Sequence, residues 1–245
     1  MTAPTTLVWW RLLSLAAAVN IALWGYSWQY VGAERRVLFW LAGIYVLGCA
    51  FRCFLPMIDV PRLCLHRTPV SRIFIGRSVA TVAELAFAAQ WALLLHEAEA
   101  PGAALAVLAS IAAAQILSWL AVLARNDLFH AAENALWTLT AAIAAAFLAS
   151  RWAYQTESGR TVIVMATACA AAYAGFMLAY VVPMYVERWR AAGNSLALAE
   201  GLRSVLAPCT VERDWQLWWR DALWLTPYFT VCVWLSLALA FVPRL

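Results

Sequence analysis

The feature of this sequence that most constrains its fold is a series of seven apolar segments. Each reaches or approaches the length of about 20 residues that an α-helix needs to cross the hydrocarbon core of a bilayer. The chain is 65% hydrophobic and only 12% charged, whereas soluble domains are about 45–50% apolar and about 25% charged. This composition excludes a water-soluble globule. The segments cover residues 12–31, 37–56, 73–95, 102–124, 128–150, 161–186 and 222–243.

The connections between the segments are short, and short connections join neighbouring helices of one bundle. The sequence therefore predicts an all-α protein, a polytopic bundle of seven transmembrane helices that forms a single integral membrane domain over residues 1–245. The first segment is not preceded by the basic region of a secretory signal peptide, so we expect it to remain as the first span.

The arginines are distributed unequally between the two sides of the predicted membrane. All 17 basic side chains are arginine, and twelve lie on one side and five on the other. Because cytoplasmic loops carry the excess of positive charge, we predict a cytoplasmic N-terminus and an external C-terminus. The larger group comprises Arg11, Arg52, Arg62, Arg67, Arg72, Arg77, Arg125, Arg188, Arg190, Arg203, Arg213 and Arg220, and the smaller group Arg35, Arg36, Arg151, Arg160 and Arg244.

The sequence contains no lysine. Retinal is held as a Schiff base on a lysine amine, so a retinal chromophore is excluded, and we predict no cofactor, with a metal ion as the alternative. Lysine-free, alanine-rich usage is typical of a GC-rich bacterial genome, which favours a bacterial inner (plasma) membrane. The net charge of +4 is explained by the orientation rule and by attraction to anionic lipid. The expected partners are therefore membrane lipid and a protein partner or second copy within the membrane, not nucleic acid.

Two of the predicted spans carry ionisable side chains, which cost about 2.5 kcal/mol or more at membrane depth and therefore mark functional positions. At about 100° per residue, the polar side chains of the third span share one stripe, and those of the fifth span share another. Both helices start from the same side, so we predict that the stripes meet as one polar site in the cytoplasmic half of the membrane. The predicted site consists of Arg77, Glu84, Asp127, His130, Glu133 and Asn134.

Within this site we expect an ion pair between Arg77 and Asp127. We also expect Glu84 to lie within about 8 Å of His130, a separation that one water molecule or one metal ion can bridge. Glutamate in a low-dielectric interior and histidine both exchange protons near neutral pH, which favours a proton relay or a polar ligand site. The alternatives are a zinc, iron or manganese site made by Glu84, His130 and Glu133, or polar contacts that only hold helices together.

Two cytoplasmic segments are predicted to contact the membrane surface. In the basic loop over residues 57–72, Asp59, Arg62 and Arg67 can bind a lipid head group. Before the last span, we expect a short interfacial helix that Asn194 or Ser195 caps and that ends before Pro208.

The tryptophans and cysteines predict no further site. Trp215, Trp218, Trp219 and Trp224 precede or begin the last span, where indole rings prefer the head-group level. The six cysteines are scattered, and Cys49 and Cys53, the closest pair in the sequence, lie one helical turn apart. That spacing does not favour a disulfide, so we predict that the cysteines are reduced packing residues.

Three functions are compatible with these features. The first is an integral membrane protein that binds or translocates a small polar solute or protons through a cytoplasm-facing intramembrane site. The second is an intramembrane enzyme that acts on a lipid or isoprenoid, with glutamate and histidine as acid and base or as metal ligands. The third is a non-catalytic membrane subunit of a complex. The sequence contains no nucleophile motif and no glycine-rich phosphate loop, so we assign no catalytic residue.

Overall fold

The computed structural model describes residues 3–154, 156–192 and 195–242 of the chain and is 82% helical. The prediction of an all-α fold is confirmed. The described residues also contain three very short strands, β1 (Met57–Ile58), β2 (Leu63–Cys64) and β3 (Thr210–Val211). The helices are α1 (Ala3–Ser27), α2 (Arg36–Phe54), α3 (Ile73–Glu97), α4 (Pro101–Ala124), α5 (Asp127–Ser150), α6 (Glu157–Phe176), α7 (Val182–Ala192), α8 (Leu198–Leu206), α9 (Trp215–Pro227) and α10 (Val233–Leu239).

Within the described residues, seven helical segments are long and apolar enough to cross a membrane. They mark the chain as an integral membrane protein, as the sequence predicts. Five of them are single helices or a helix with a short 3₁₀ extension, and two continue through a π-helical turn. The segments are Pro4–Tyr30, Ala33–Phe54, Ile73–Glu97, Pro101–Ala124, Asp127–Ser150, Gly159–Ala192 and Trp215–Leu239.

The first span and the last two differ from their predicted boundaries. The first was expected to begin at residue 12, but helix α1 already begins at Ala3. The sixth was expected to end at residue 186, but helix continues to Ala192 through a π-helical segment, Met177–Val181, and past Pro183. The seventh begins at Trp215, seven residues before the predicted start, and contains a second π-helical segment, Tyr228–Cys232. Proline removes one helical hydrogen bond, and a π turn beside it lets the helix continue. The predicted end of the seventh span, Pro243, and Arg244 both lie outside the described residues.

The chain divides into two compact units, one built on Met1–Phe87 with Ala197–Phe241 and the other on Ala88–Leu196. In the first unit, α2 packs against α1 and α10. A Cβ atom on Gly48 of α2 would lie 2.6 Å from the Cβ of Ala83 in α3, so this glycine permits the close approach of the two helices.

In the second unit α5 is the central helix, and α4, α6 and α7 pack against it. The buried side chains of its core are all small or aliphatic. The polar residues near the start of α5 are not part of this core. The core comprises Ala92, Leu95, Ala100, Ala104, Val107, Ala144, Leu148 and Ile163.

The loop after α2 and the segment before α9 form a small folded structure in the first unit, here named the β-cap (residues 57–72 and 207–213). Strands β1 and β2 pair antiparallel, and β3 adds to β2 in parallel. The Glu212 amide donates to the Cys64 carbonyl at 2.9 Å, and the Thr210 amide donates to the Arg62 carbonyl at 3.0 Å. The sequence predicted a polar loop here, because strands of two residues leave no readable alternation of polar and apolar residues.

A disulfide joins Cys64 of the β-cap to Cys209, with 5.9 Å between the two Cα atoms. The prediction that all cysteines are reduced is therefore wrong. Residue spacing did not reveal this bond because its partners are 145 residues apart, and the fold brings them together.

A buried tryptophan packs against the β-cap. Trp218 is completely buried against Ile58 and Leu65, and its indole N–H donates to the Glu212 carbonyl at 3.0 Å. The expectation that Trp218 is a head-group anchor is thus wrong. Indole at this position is a core residue whose one polar atom is satisfied by the backbone.

The predicted interfacial helix is present as α8, Leu198–Leu206, and ends before Pro208 as expected. Its N-cap is Ala197, which offers no side-chain hydrogen bond. Asn194 lies outside the described residues, and Ser195 instead accepts a hydrogen bond from the Asn126 side chain at 2.8 Å. The predicted Ser195 cap is therefore wrong, because its hydroxyl is used by the turn before α5.

Candidate functional site

The first candidate site is a buried ion pair on α3. Arg77 Nη2 lies 3.0 Å from Glu84 Oε2, and the two residues are 5% and 7% exposed. Seven residues make nearly two helical turns, so both side chains leave the same face of the helix. Glu84 lies eleven residues after Ile73, about 17 Å along the helix axis, which is near the middle of the span. A charge pair at this depth needs its partners, because an isolated charge in lipid is costly.

Tyr228 gives Glu84 a second partner. Its hydroxyl donates to Glu84 Oε1 at 3.2 Å, so the two oxygens of the carboxylate accept from different groups, a guanidinium and a phenol. The Tyr228 ring contacts Tyr45 edge-on at 6.3 Å, and Tyr45 stacks on Phe87 at 4.8 Å. Sequence reasoning missed Tyr228. The available signal was the adjacent Pro227, which is unusual inside an apolar span.

Tyr228 is the first residue of the π-helical segment that follows Pro227. A π turn contains one extra residue and changes the direction in which the following side chains leave the helix, and such turns are frequent at functional sites. Cys49 of α2 lies within electrostatic range of Glu84 and of Cys232 at the end of the same segment. The surroundings of Glu84 therefore include a phenol and thiols, which can all donate or accept a proton.

The second candidate site lies on α5 in the other unit. His130 Nδ1 is 2.9 Å from Glu133 Oε2, and each residue is only 5% exposed. Tyr185 of α7 packs its ring against the imidazole, with 5.1 Å between ring centroids. The guanidinium of Arg188 lies over the same Tyr185 ring, 5.8 Å from its centroid.

The other polar residues at the start of α5 are Asn126, Asp127 and Asn134. Asn126 is the N-cap, and its side chain accepts from the Leu128 amide at 3.0 Å. Asp127 follows in the first turn and is 3% exposed, where the helix dipole favours a negative charge. The Asn134 amide donates to the His130 carbonyl at 2.8 Å, so this predicted site residue is bound to its own helix. Tyr185 was missed, because one aromatic residue in an apolar helix carries no signal of its own.

The structure thus brings the predicted site residues together in pairs. Arg77 lies with Glu84, and His130 lies with Glu133. The predicted contacts of Arg77 with Asp127 and of Glu84 with His130 join residues of different units, and they stay predictions. Among the residues that the structure describes, no three His, Cys, Asp or Glu side chains form a group that could hold a metal ion.

A third buried pair connects the β-cap to α2. Arg52 Nη1 lies 3.3 Å from Asp59 Oδ1, and Arg52 Nη2 donates to the Met57 carbonyl at 3.0 Å. Asp59 and Arg62, two of the predicted head-group ligands, are 9% and 7% exposed, whereas Arg67 is exposed. Binding of a head group by these residues stays a prediction, with Arg67 alone standing at the surface.

His66 lies in the β-cap and outside the spans. Its ring packs on Trp10 of α1 at 4.3 Å between centroids. Burial lowers the pKa of His66 below its ordinary value of 6.5, and the positive charge of Arg213 lowers it further. Both effects disfavour the protonated imidazole at this position.

Comparison of the chain with protein-family models, with curated proteins and with solved structures found no match. The chemistry of the two buried clusters is therefore the basis for any functional assignment.

Proposed function

We propose that this integral membrane protein exchanges protons at Glu84 and at the His130–Glu133 pair, and that it moves protons, alone or with a small polar solute, across a bacterial inner membrane. The observation that carries this proposal is Glu84, a carboxylate near the middle of a span that contacts both Arg77 and Tyr228. Holding a charge there is costly, and helix association alone needs only ordinary polar contacts.

The chemistry of Glu84 fits the binding and release of a proton. Its carboxylate accepts from a guanidinium at one oxygen and from a phenol at the other. A proton that reaches Glu84 weakens its attraction to Arg77, so protonation and rearrangement of the pair are coupled. The Tyr228 hydroxyl can donate one proton while accepting another, which gives the proton a route to or from the carboxylate.

The His130–Glu133 pair supports the same function with a second type of group. Histidine changes charge near neutral pH, and an adjacent carboxylate favours its protonated form. With Tyr185 packed on the imidazole, the cluster again combines a carboxylate, a second titratable group and a tyrosine. A structural role alone does not require both clusters to contain groups that exchange protons.

Proton movement is measured with the purified protein in liposomes that enclose a pH-sensitive dye. A potassium gradient with valinomycin sets the interior negative, and the initial rate of internal acidification is recorded. We expect a rate above that of protein-free liposomes, and we expect Glu84→Gln to remove the difference. Glu200→Gln, which changes an exposed carboxylate on α8, is the matched control and should keep the wild-type rate.

A second variant separates function from folding. Tyr228→Phe removes only the hydroxyl that donates to Glu84, at a stability cost of about 1 kcal/mol, and leaves the ion pair with Arg77. We expect a slower proton flux in this variant and an unchanged flux in Tyr26→Phe, where the tyrosine is exposed. A wild-type rate equal to that of empty liposomes, or a Glu84→Gln variant as active as wild type, would rule out the proposal.

A further inference from the structure

An open groove runs between α1 and the first turns of α9 in the first unit. Its volume is about 400 Å³, and three indole rings, those of Trp9, Trp215 and Trp219, form much of its wall. Ala222, Leu223 and Thr226 complete the lining on α9.

The hydroxyl that lines this groove is already bonded. The Thr226 hydroxyl accepts from the Trp9 indole N–H at 3.0 Å and donates to the Ala222 carbonyl at 2.6 Å. The lining is therefore formed mainly by apolar side chains and indole rings. A surface of this kind suits a hydrocarbon chain and offers a polar ligand few hydrogen bonds.

One edge of the groove is polar, and an arginine stands next to it. At about 100° per residue, Gln216 and Leu223 lie on the same side of the α9 lining face, and Arg220 follows directly beyond them. The Arg220 guanidinium packs over the Trp219 ring, 5.5 Å from its centroid. An arginine held at the rim of an apolar groove can bind a phosphate while the groove holds an attached chain.

The segment that precedes α9 also belongs at the membrane surface. Helix α8 buries Gly201 and Val205 and exposes Leu198, Leu202 and Leu206 on another face. A short helix with an exposed apolar stripe of this kind lies in the head-group region. Only eight residues separate the end of α8 at Leu206 from the start of α9 at Trp215.

We propose that this groove is a binding site for an anionic phospholipid. One acyl chain lies between the indoles of Trp9 and Trp219, and the phosphodiester is bound by Arg220 with Gln216 beside it. A lipid of net negative charge is favoured over a zwitterionic one, because a choline or ethanolamine ammonium cancels the attraction to the guanidinium.

The site is tested with delipidated protein in detergent, to which phosphatidylglycerol or phosphatidylcholine with identical acyl chains is added. Bound lipid is counted by native mass spectrometry over a range of lipid concentrations. We expect wild type to bind phosphatidylglycerol in preference to phosphatidylcholine. The loss of one arginine that contacts a lipid head group is expected to raise the Kd about fivefold. We therefore predict a Kd for phosphatidylglycerol about fivefold higher in Arg220→Gln.

Two matched pairs of variants separate a built site from general attraction. Arg203→Gln removes an exposed arginine of α8, and Leu217→Trp adds an indole on a face of α9 that does not line the groove; both should bind as wild type. Leu223→Trp fills the groove from an exposed position and should weaken binding as much as Arg220→Gln. Equal binding of the two lipids by wild type, or equal losses in Arg203→Gln and Arg220→Gln, would overturn the proposal, as would undiminished binding by Leu223→Trp.

Discussion

The disulfide of the β-cap leads to the most quantitative prediction. Cys64 and Cys209 are 145 residues apart in sequence, so the bond closes a very long loop in the unfolded chain. The loop-closure relation gives about 5 kcal/mol for a loop of this length. This is an upper value for a membrane protein, whose helices remain confined by the bilayer or detergent after unfolding. We expect Cys64→Ser/Cys209→Ser to lower the free energy of unfolding by about 2–4 kcal/mol, the usual range for a disulfide.

The double variant should still fold, because the β-cap has other contacts. Its strands keep the backbone hydrogen bonds to the carbonyls of Arg62 and Cys64, and Trp218 stays buried in the core. The assay is thermal unfolding of the purified protein with and without dithiothreitol, together with mass spectrometry of peptides alkylated under denaturing, non-reducing conditions. Wild type with dithiothreitol should unfold like the double variant. Quantitative alkylation of both cysteines without reductant would refute the reasoning.

The same bond tests the predicted orientation. The excess of arginine predicts a cytoplasmic β-cap, but disulfides persist in oxidising compartments and are reduced in the cytoplasm. Alkylation of intact cells before lysis measures the bond where the protein is made. A bond that is formed in cells would contradict a cytoplasmic N-terminus, whereas two free thiols in cells that oxidise after extraction would agree with it.

Three further predictions concern the interior and the β-cap. Glu84→Gln keeps the shape of the side chain and one oxygen acceptor, whereas Glu84→Ala removes both acceptors that Arg77 and Tyr228 contact. Unfolding should therefore be easier in Glu84→Ala than in Glu84→Gln by about 1–3 kcal/mol; equal unfolding midpoints would mean that these contacts do not stabilise the fold. Gly48→Val places a side chain where the helix approaches Ala83, and overpacking of this kind costs about 1–3 kcal/mol; a midpoint equal to wild type would exclude the close approach. Because the pKa of His66 is lowered in the folded protein, His66 binds a proton at a higher pH in the unfolded chain, so stability should fall as the pH drops below the ordinary value of 6.5. The unfolding midpoint of His66→Gln should depend less on pH than that of wild type. An unchanged pH dependence would contradict the lowered pKa.

The sequence predicted the spans well because the physical signal is strong and local. A helix in lipid needs a long apolar run, and α4 and α5 begin and end within one residue of the predicted boundaries. The boundaries failed at the first, sixth and seventh spans, where the helix extends beyond the apolar segment. Hydropathy measures where lipid can surround a helix, and the chain of hydrogen bonds that defines the helix extends further.

The sequence singled out Glu84 and His130 by their expected depth in the membrane, because ionisable groups there are rare. It did not indicate Tyr228, which is 144 residues from Glu84 in sequence, and nothing local connects the two. It also did not indicate the contact of Arg77 with Glu84 on the same helix. Periodicity shows which side chains share a face of a helix, but it does not show which of them bond to one another.

The two polar clusters have one construction in common. In each, the charged residues belong to a continuous α-helix, Arg77 and Glu84 to α3 and His130 and Glu133 to α5. The tyrosine that contacts them comes from a helix that combines a proline with a π-helical segment. A continuous helix fixes its side chains, since every backbone group is bonded, whereas a π turn beside a proline has a weaker hydrogen-bond pattern and can return to α-helix by shifting one residue. Such a shift rotates the tyrosine away from its partner without moving the charged helix. In the proposed proton exchange, each cluster needs a contact that can form and break at low cost, and this construction would give each of them one.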